Sequence, residues 1–133
     1  MPAIHHLKLL VSLARIDGEV VEKEKQYIIN IGQANHFMVS EILPLFSSDH
    51  EQVVPENLTK DQKFDYIFTL VQLMRIDGRI YQDEIKYCAQ VASRLGYQRD
   101  LLFELMLKVQ EVGQSKDDVN ALKLFTSEFL LRS

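Results

Sequence analysis

The tetrapeptide Arg15-Ile16-Asp17-Gly18 returns as Arg75-Ile76-Asp77-Gly78, and no other feature of this chain restricts its fold so tightly. At the same offset of sixty residues, Leu10/Leu70, Val11/Val71, Leu13/Leu73, Glu24/Glu84 and Tyr27/Tyr87 coincide, so residues 7–36 and 67–96 read as two copies of one segment. Each copy carries apolar residues at helical spacing, an Asp-Gly turn and a second periodic run. The pattern predicts an all-α, single-domain bundle of about seven helices built from two pseudo-symmetric helical hairpin repeats. The repeat halves are expected at about 1–46 and 59–96, followed by C-terminal helices at about 99–131.

Local signals place the elements. Leu7, Leu10, Val11 and Ala14 mark a helix over Ala3 to Ile16, and a second starts near Glu22 and frays at Asn35-His36. A short third helix spans Val39 to Phe46, and the polar stretch Ser47 to Leu58, broken by Pro55, links the halves. Thr59-Lys60-Asp61-Gln62 has the form of a capping box and opens a fourth helix that runs to Ile76. A fifth, from Gln82 to Leu95, ends at Gly96, where a positive φ is cheap. The sixth carries Leu101, Leu102, Leu105, Met106, Val109 and Val112 and stops at Gly113. Ser115-Lys116-Asp117-Asp118 caps a seventh that continues to about Leu131.

Composition narrows the classes. A chain of 133 residues, 47% apolar, supports one sizeable core and is short for two domains. Its net charge of -4 and its lack of any Lys/Arg run argue against a nucleic-acid partner, which needs a concentrated basic face to release counterions. Cys88 is the only cysteine, so no intramolecular disulfide forms, and a reducing, cytoplasmic compartment is the expectation. The Met1 to His6 segment lacks the basic and apolar regions of a secretory signal, and no 18-residue apolar stretch predicts a membrane span.

A helix ending in Asp-Gly, a hydrophobic residue two positions on (Val20, Ile80) and a glutamate six after the glycine (Glu24, Glu84) resembles the tellurite-resistance TerB-like family. Residues 15–27 and 75–87 carry the likeness, and its specificity comes from the duplication. The resemblance implies an all-helical, internally duplicated fold and a connection with tellurite resistance and wider stress or metal responses. Members also occur fused to a J domain in a membrane-anchored co-chaperone; this sequence contains no His-Pro-Asp tripeptide and hence no J domain. Carried over by motif, the family's acidic positions fall on Asp17, Glu24, Asp77 and Glu84, with Glu22 and Asp83 as less regular neighbours, and imply a divalent-cation site. Where the family often has a small polar cap before the second helix of each hairpin, this chain has Val21 and Tyr81, a departure that offers capping as the alternative role for the carboxylates.

The same motif matches the second half of an EF-hand loop, with Asp17 or Asp77 at loop position five and Glu24 or Glu84 at twelve. The first half fails, because positions one and three would be Leu13 and Arg15, or Leu73 and Arg75, where oxygen ligands belong. Two readings of the carboxylates stay open. Either they converge on a hard cation, or Asp17 and Asp77 accept turn amides while Glu24 and Glu84 serve helix starts.

Other chemistry is sparse. His5, His6, His36 and His50 are expected on the polar surface, and Cys88 as a small buried residue. No phosphate loop, Cys-x-x-Cys, His-Glu-x-x-His or nucleophile elbow occurs. The expected function is a non-enzymatic TerB-like binding module acting through protein contacts; the alternative is cation binding or sensing. Leu122, Leu124, Phe125, Phe129, Leu130 and Leu131 cover more than one face of the last helix, which either wedges it between neighbours or presents a homodimer contact.

Overall fold

Helices account for nearly all regular structure in the computed structural model of the chain, which describes residues 2–16, 18, 20–48, 50, 53–76, 82–111 and 116–130. Among these residues the helices are α1 (Pro2–Ala14), α2 (Glu22–Ala34), α3 (Val39–Ile42), α4 (Lys60–Met74), α5 (Gln82–Arg94), α6 (Leu101–Glu111) and α7 (Lys116–Ser127). The sequence positions Asp17, Asp77, Gly78, Tyr81, Val112, Gly113, Ser115 and Leu131 lie outside the described residues.

The core is built on α1 and α4, which pack against each other. Leu7, Leu9, Leu10, Val11, Leu13 and Ala14 of α1 are all buried, more than one stripe, because α2, α5 and the turn after α3 surround the helix as well. In α4 the buried set runs from Phe64 through Ile67, Leu70 and Val71 to Met74. Each large apolar side chain removed from water contributes about 1.5–3 kcal/mol, so these two helices dominate the stability of the bundle. Buried residues recur at the sixty-residue offset: Leu10 and Leu70, Val11 and Val71, Leu13 and Leu73, and Ile28 and Cys88 are all in the core.

Helix ends follow local chemistry. The Thr59 hydroxyl accepts from the Gln62 amide at 3.1 Å while the Gln62 side chain accepts from the Thr59 amide at 2.9 Å, a complete capping box that starts α4. Downstream of α5, Gly96 takes φ +92° and the Tyr97 amide donates back to the Ala92 carbonyl at 3.1 Å, a Schellman closure. Helix α2 closes in the same way, with the Phe37 amide on the Gly32 carbonyl at 3.0 Å, but there the left-handed position is occupied by His36 at φ 71°.

Three expectations need adjustment. Helix α1 ends at Ala14, since the Ile16 amide already bonds the Leu13 carbonyl in a tighter turn. The predicted third helix is α-helical only to Ile42 and continues as a 3₁₀ turn over Leu43–Ser47, because Pro44 has no amide to extend the α ladder. Helix α7 stops at Ser127, where the Thr126 and Ser127 hydroxyls fold back on the Leu122 and Leu124 carbonyls. Phe129 instead accepts from the Gln98 amide at 2.7 Å, and Leu130 forms an isolated antiparallel bridge with Tyr97. No helix among the described residues is long and apolar enough to cross a membrane.

Candidate functional site

Of the acidic positions singled out by the repeat, Glu24 and Glu84 are each the third residue of their helix, α2 and α5, and each is only 6% exposed. A Glu24 carboxylate oxygen accepts from the Val21 amide at 3.2 Å. Valine has no acceptor to return, so this is half of a capping box, and the carboxylate supplies what a polar cap residue would otherwise provide. Negative charge in the first turn also complements the helix dipole. Glu22 and Asp83, the less regular neighbours, are exposed. Asp17 and Asp77 lie outside the described residues, and among those described no group of three or more His, Cys, Asp or Glu side chains is placed to hold a metal ion. Next to the first turn, Gly18 has φ +90° and open space around its Cα, and the Arg15 guanidinium donates to the Ser48 carbonyl. That bond ties the connection between the halves to the end of α1.

Polar chemistry that the sequence reading missed lies between α1 and α4. His6 is buried, not on the polar surface: its ring stacks on Tyr66 with centroids 4.4 Å apart and planes 12° from parallel. Its Nε2 lies 2.6 Å from the Thr69 hydroxyl. That hydroxyl spends its proton on the Asp65 carbonyl at 2.8 Å, so it receives the proton of a neutral, Nε2-protonated imidazole. Burial pushes the His6 pKa down to about 4 and that of Tyr66 up to about 12. His6 and Tyr66 are themselves sixty residues apart, one position before the segments that repeat.

The two repeat tyrosines reach across the bundle in opposite senses. Tyr27 of α2 donates to the Gln72 side chain of α4 at 2.5 Å, and Tyr87 of α5 donates to the Leu9 carbonyl of α1 at 2.8 Å with Ser12 also in hydrogen-bonding range. Gln72 and Ser12 are again sixty residues apart. Burial raises the pKa of both phenols, so they remain protonated donors. Cys88 is fully buried and its thiol is raised by burial and then by the nearby Glu84 charge, which makes it a poor nucleophile.

Two surface features stand apart from this interior. A cavity of about 410 Å³ between α4 and α7 is lined by Phe64, Tyr97 and Leu124, with Lys60, Asp61 and Lys123 among its polar residues. Lys123 lies 3.9 Å from Asp61 and 5.8 Å from the centre of the Phe64 ring. Large apolar side chains are also exposed, among them Met38, Val39 and Leu43 around α3, Phe103 and Leu107 on α6, and Leu124 on α7.

In comparisons with protein-family models, curated proteins and solved structures, the chain matches none of them.

Proposed function

We propose that the chain is a non-enzymatic helical binding module of the tellurite-resistance TerB-like kind, made of two pseudo-symmetric copies of a helical hairpin and acting through protein contacts in a stress-linked assembly. The duplication is supported by features that recur at one offset. Helices α2 and α5 begin and end sixty residues apart; their Schellman closures use Gly32/Ala92 and His36/Gly96. Tyr27 reaches Gln72, and Tyr87, besides bonding the Leu9 carbonyl, has Ser12 in range, the position sixty residues before Gln72; His6 stacks on Tyr66, as residues beside a two-fold axis would. His6, Tyr66 and Tyr87 are buried and Tyr27 is half-buried, so these contacts serve the bundle's packing and leave the binding role to other surface.

The observation that carries the binding role is the apolar surface of α3 and the turn after it. Val39 and Leu43 are four residues apart and share a face, Met38 adjoins them, and all three are exposed. Contiguous apolar side chains in solvent mark contact surfaces more often than isolated ones. A partner that covers them would remove the contact cost of water and leave the core untouched. The test is cross-linking and affinity capture from cells carrying the tagged chain, beside growth in tellurite, for wild type and for Val39→Asp/Leu43→Asp. The reading predicts a discrete partner that the double variant loses at unchanged thermal stability. Capture of the same proteins by both forms, or of none, contradicts it.

A further inference from the structure

The outward face of α6 has its own pattern. At 3.6 residues per turn, Leu101, Leu102 and Leu105 point into the core with Met106 and Val109 beside them, and the opposite arc holds Phe103, Glu104, Leu107 and Lys108. Phe103 is 56% and Leu107 57% exposed, and both charged residues are exposed as well. A surface helix normally turns its polar side to water, so the apolar pair is out of place on a free face.

The geometry points to a second copy of this chain as the occupant of that face, through antiparallel α6–α6 pairing about a two-fold axis near the middle of the helix. The face is self-complementary. An isologous contact requires that residue i meets j and j meets i. In antiparallel register, Phe103 of one copy meets Leu107 of the other, and Glu104 meets Lys108, each pair occurring twice. In a parallel pair the flank that carries Glu104 and Lys108 faces the opposite flank of the other copy, so the two opposite charges meet each other only in the antiparallel form. Lys108 is already positioned, its ammonium 5.2 Å from the Phe125 ring centroid, beside the face. An eleven-residue helix is only about 16 Å long, which is small beside a standard interface. The dimer is therefore weak and concentration-dependent. This surface is separate from the one around α3, and its test does not depend on any partner being found.

Sedimentation velocity over a concentration series, on wild type, Glu104→Lys, Lys108→Glu, the double exchange and Leu107→Asp, decides the matter, with far-UV circular dichroism to verify folding. Wild type is expected to shift from monomer to dimer as concentration rises. Each single reversal sets like charges together twice per dimer and should weaken association about tenfold or more, and Leu107→Asp should abolish it. The double exchange restores opposite charges across the two-fold and should bring the wild-type affinity back. Wild type that stays monomeric throughout, a dimer indifferent to the single reversals or to Leu107→Asp, or a double exchange that fails to recover association would each overturn the proposal.

Discussion

Acid should destabilise the bundle through His6. The imidazole is buried and neutral in the folded state, with its pKa depressed to about 4 by desolvation, against 6.5 in the unfolded chain. A depressed folded pKa contributes stability that is fully present above the unfolded value and is lost as pH falls toward the folded one. The window is therefore pH 6.5 down to 4. Linkage with these two values gives a loss of about 2 kcal/mol at pH 5 and about 3 kcal/mol at pH 4 relative to pH 8. Carboxylates also take up protons as pH falls, Asp65 among them, its pKa raised chiefly by burial. Comparison with His6→Phe isolates the histidine term: phenylalanine keeps an aromatic ring for the stack on Tyr66, and the Thr69 hydroxyl retains its bond to the Asp65 carbonyl. Urea unfolding of both proteins at pH 8, 6, 5 and 4 should show their stability difference moving by about 3 kcal/mol in favour of His6→Phe as pH falls. A difference that stays constant with pH would refute the reasoning, since it would place His6 in water when folded.

His36 occupies the left-handed position that Gly96 fills in the other half, so His36→Gly should stabilise by about 1 kcal/mol, and Gly18→Ala or Gly96→Ala should destabilise by about the same, read from urea midpoints. Tyr27→Phe and Tyr87→Phe each remove one cross-bundle hydrogen bond and should cost about 1 kcal/mol apiece in chemical denaturation. Gly32→Ala gains about 1 kcal/mol of helix propensity, but its Cβ would run into Ile42, whose Cγ1 lies only 3.0 Å away in the sealed core. Overpacking of that kind costs about 1–3 kcal/mol, so a lowered melting temperature is expected, and a raised one would show that α3 gives way.

Where a residue's role was set by its neighbours in the chain, the sequence was readable. Thr59 with Gln62, and Gly96 after a periodic run, specify a helix start and a helix end with no help from the rest of the molecule, and the structure has both where they were expected. The apolar phases of α1 and α4 were legible for the same reason, although α1 is buried around more of its circumference than one stripe suggests, because several elements surround it. His6 was misjudged because its environment is tertiary: nothing adjacent in sequence supplies Tyr66 or Thr69. His36 gave no signal, since a non-glycine residue forced to positive φ is identified only by the bond from Phe37 that closes over it. The extent of α7 was overestimated because the pairing of Phe129 and Leu130 with Gln98 and Tyr97 competes with helix and is non-local. Among the acidic residues, the burial of Glu24 and its bond to Val21 follow from α2 starting at Glu22, a step the missing polar cap had already suggested.

The measurement closest to the central claim, that the repeat glutamates serve the fold and the chain works by protein contacts, is thermal unfolding of chelator-stripped protein with calcium, magnesium, manganese or zinc, on wild type and on Glu24→Gln/Glu84→Gln. A cation present at a hundred times its dissociation constant would add about 2.7 kcal/mol, a shift of several degrees for a domain of this size. No shift is expected for either protein, and the double variant should lose a modest amount of stability, since glutamine retains an oxygen for the Val21 amide. A shift in wild type that the variant lacks would contradict it and assign the two glutamates to a cation site.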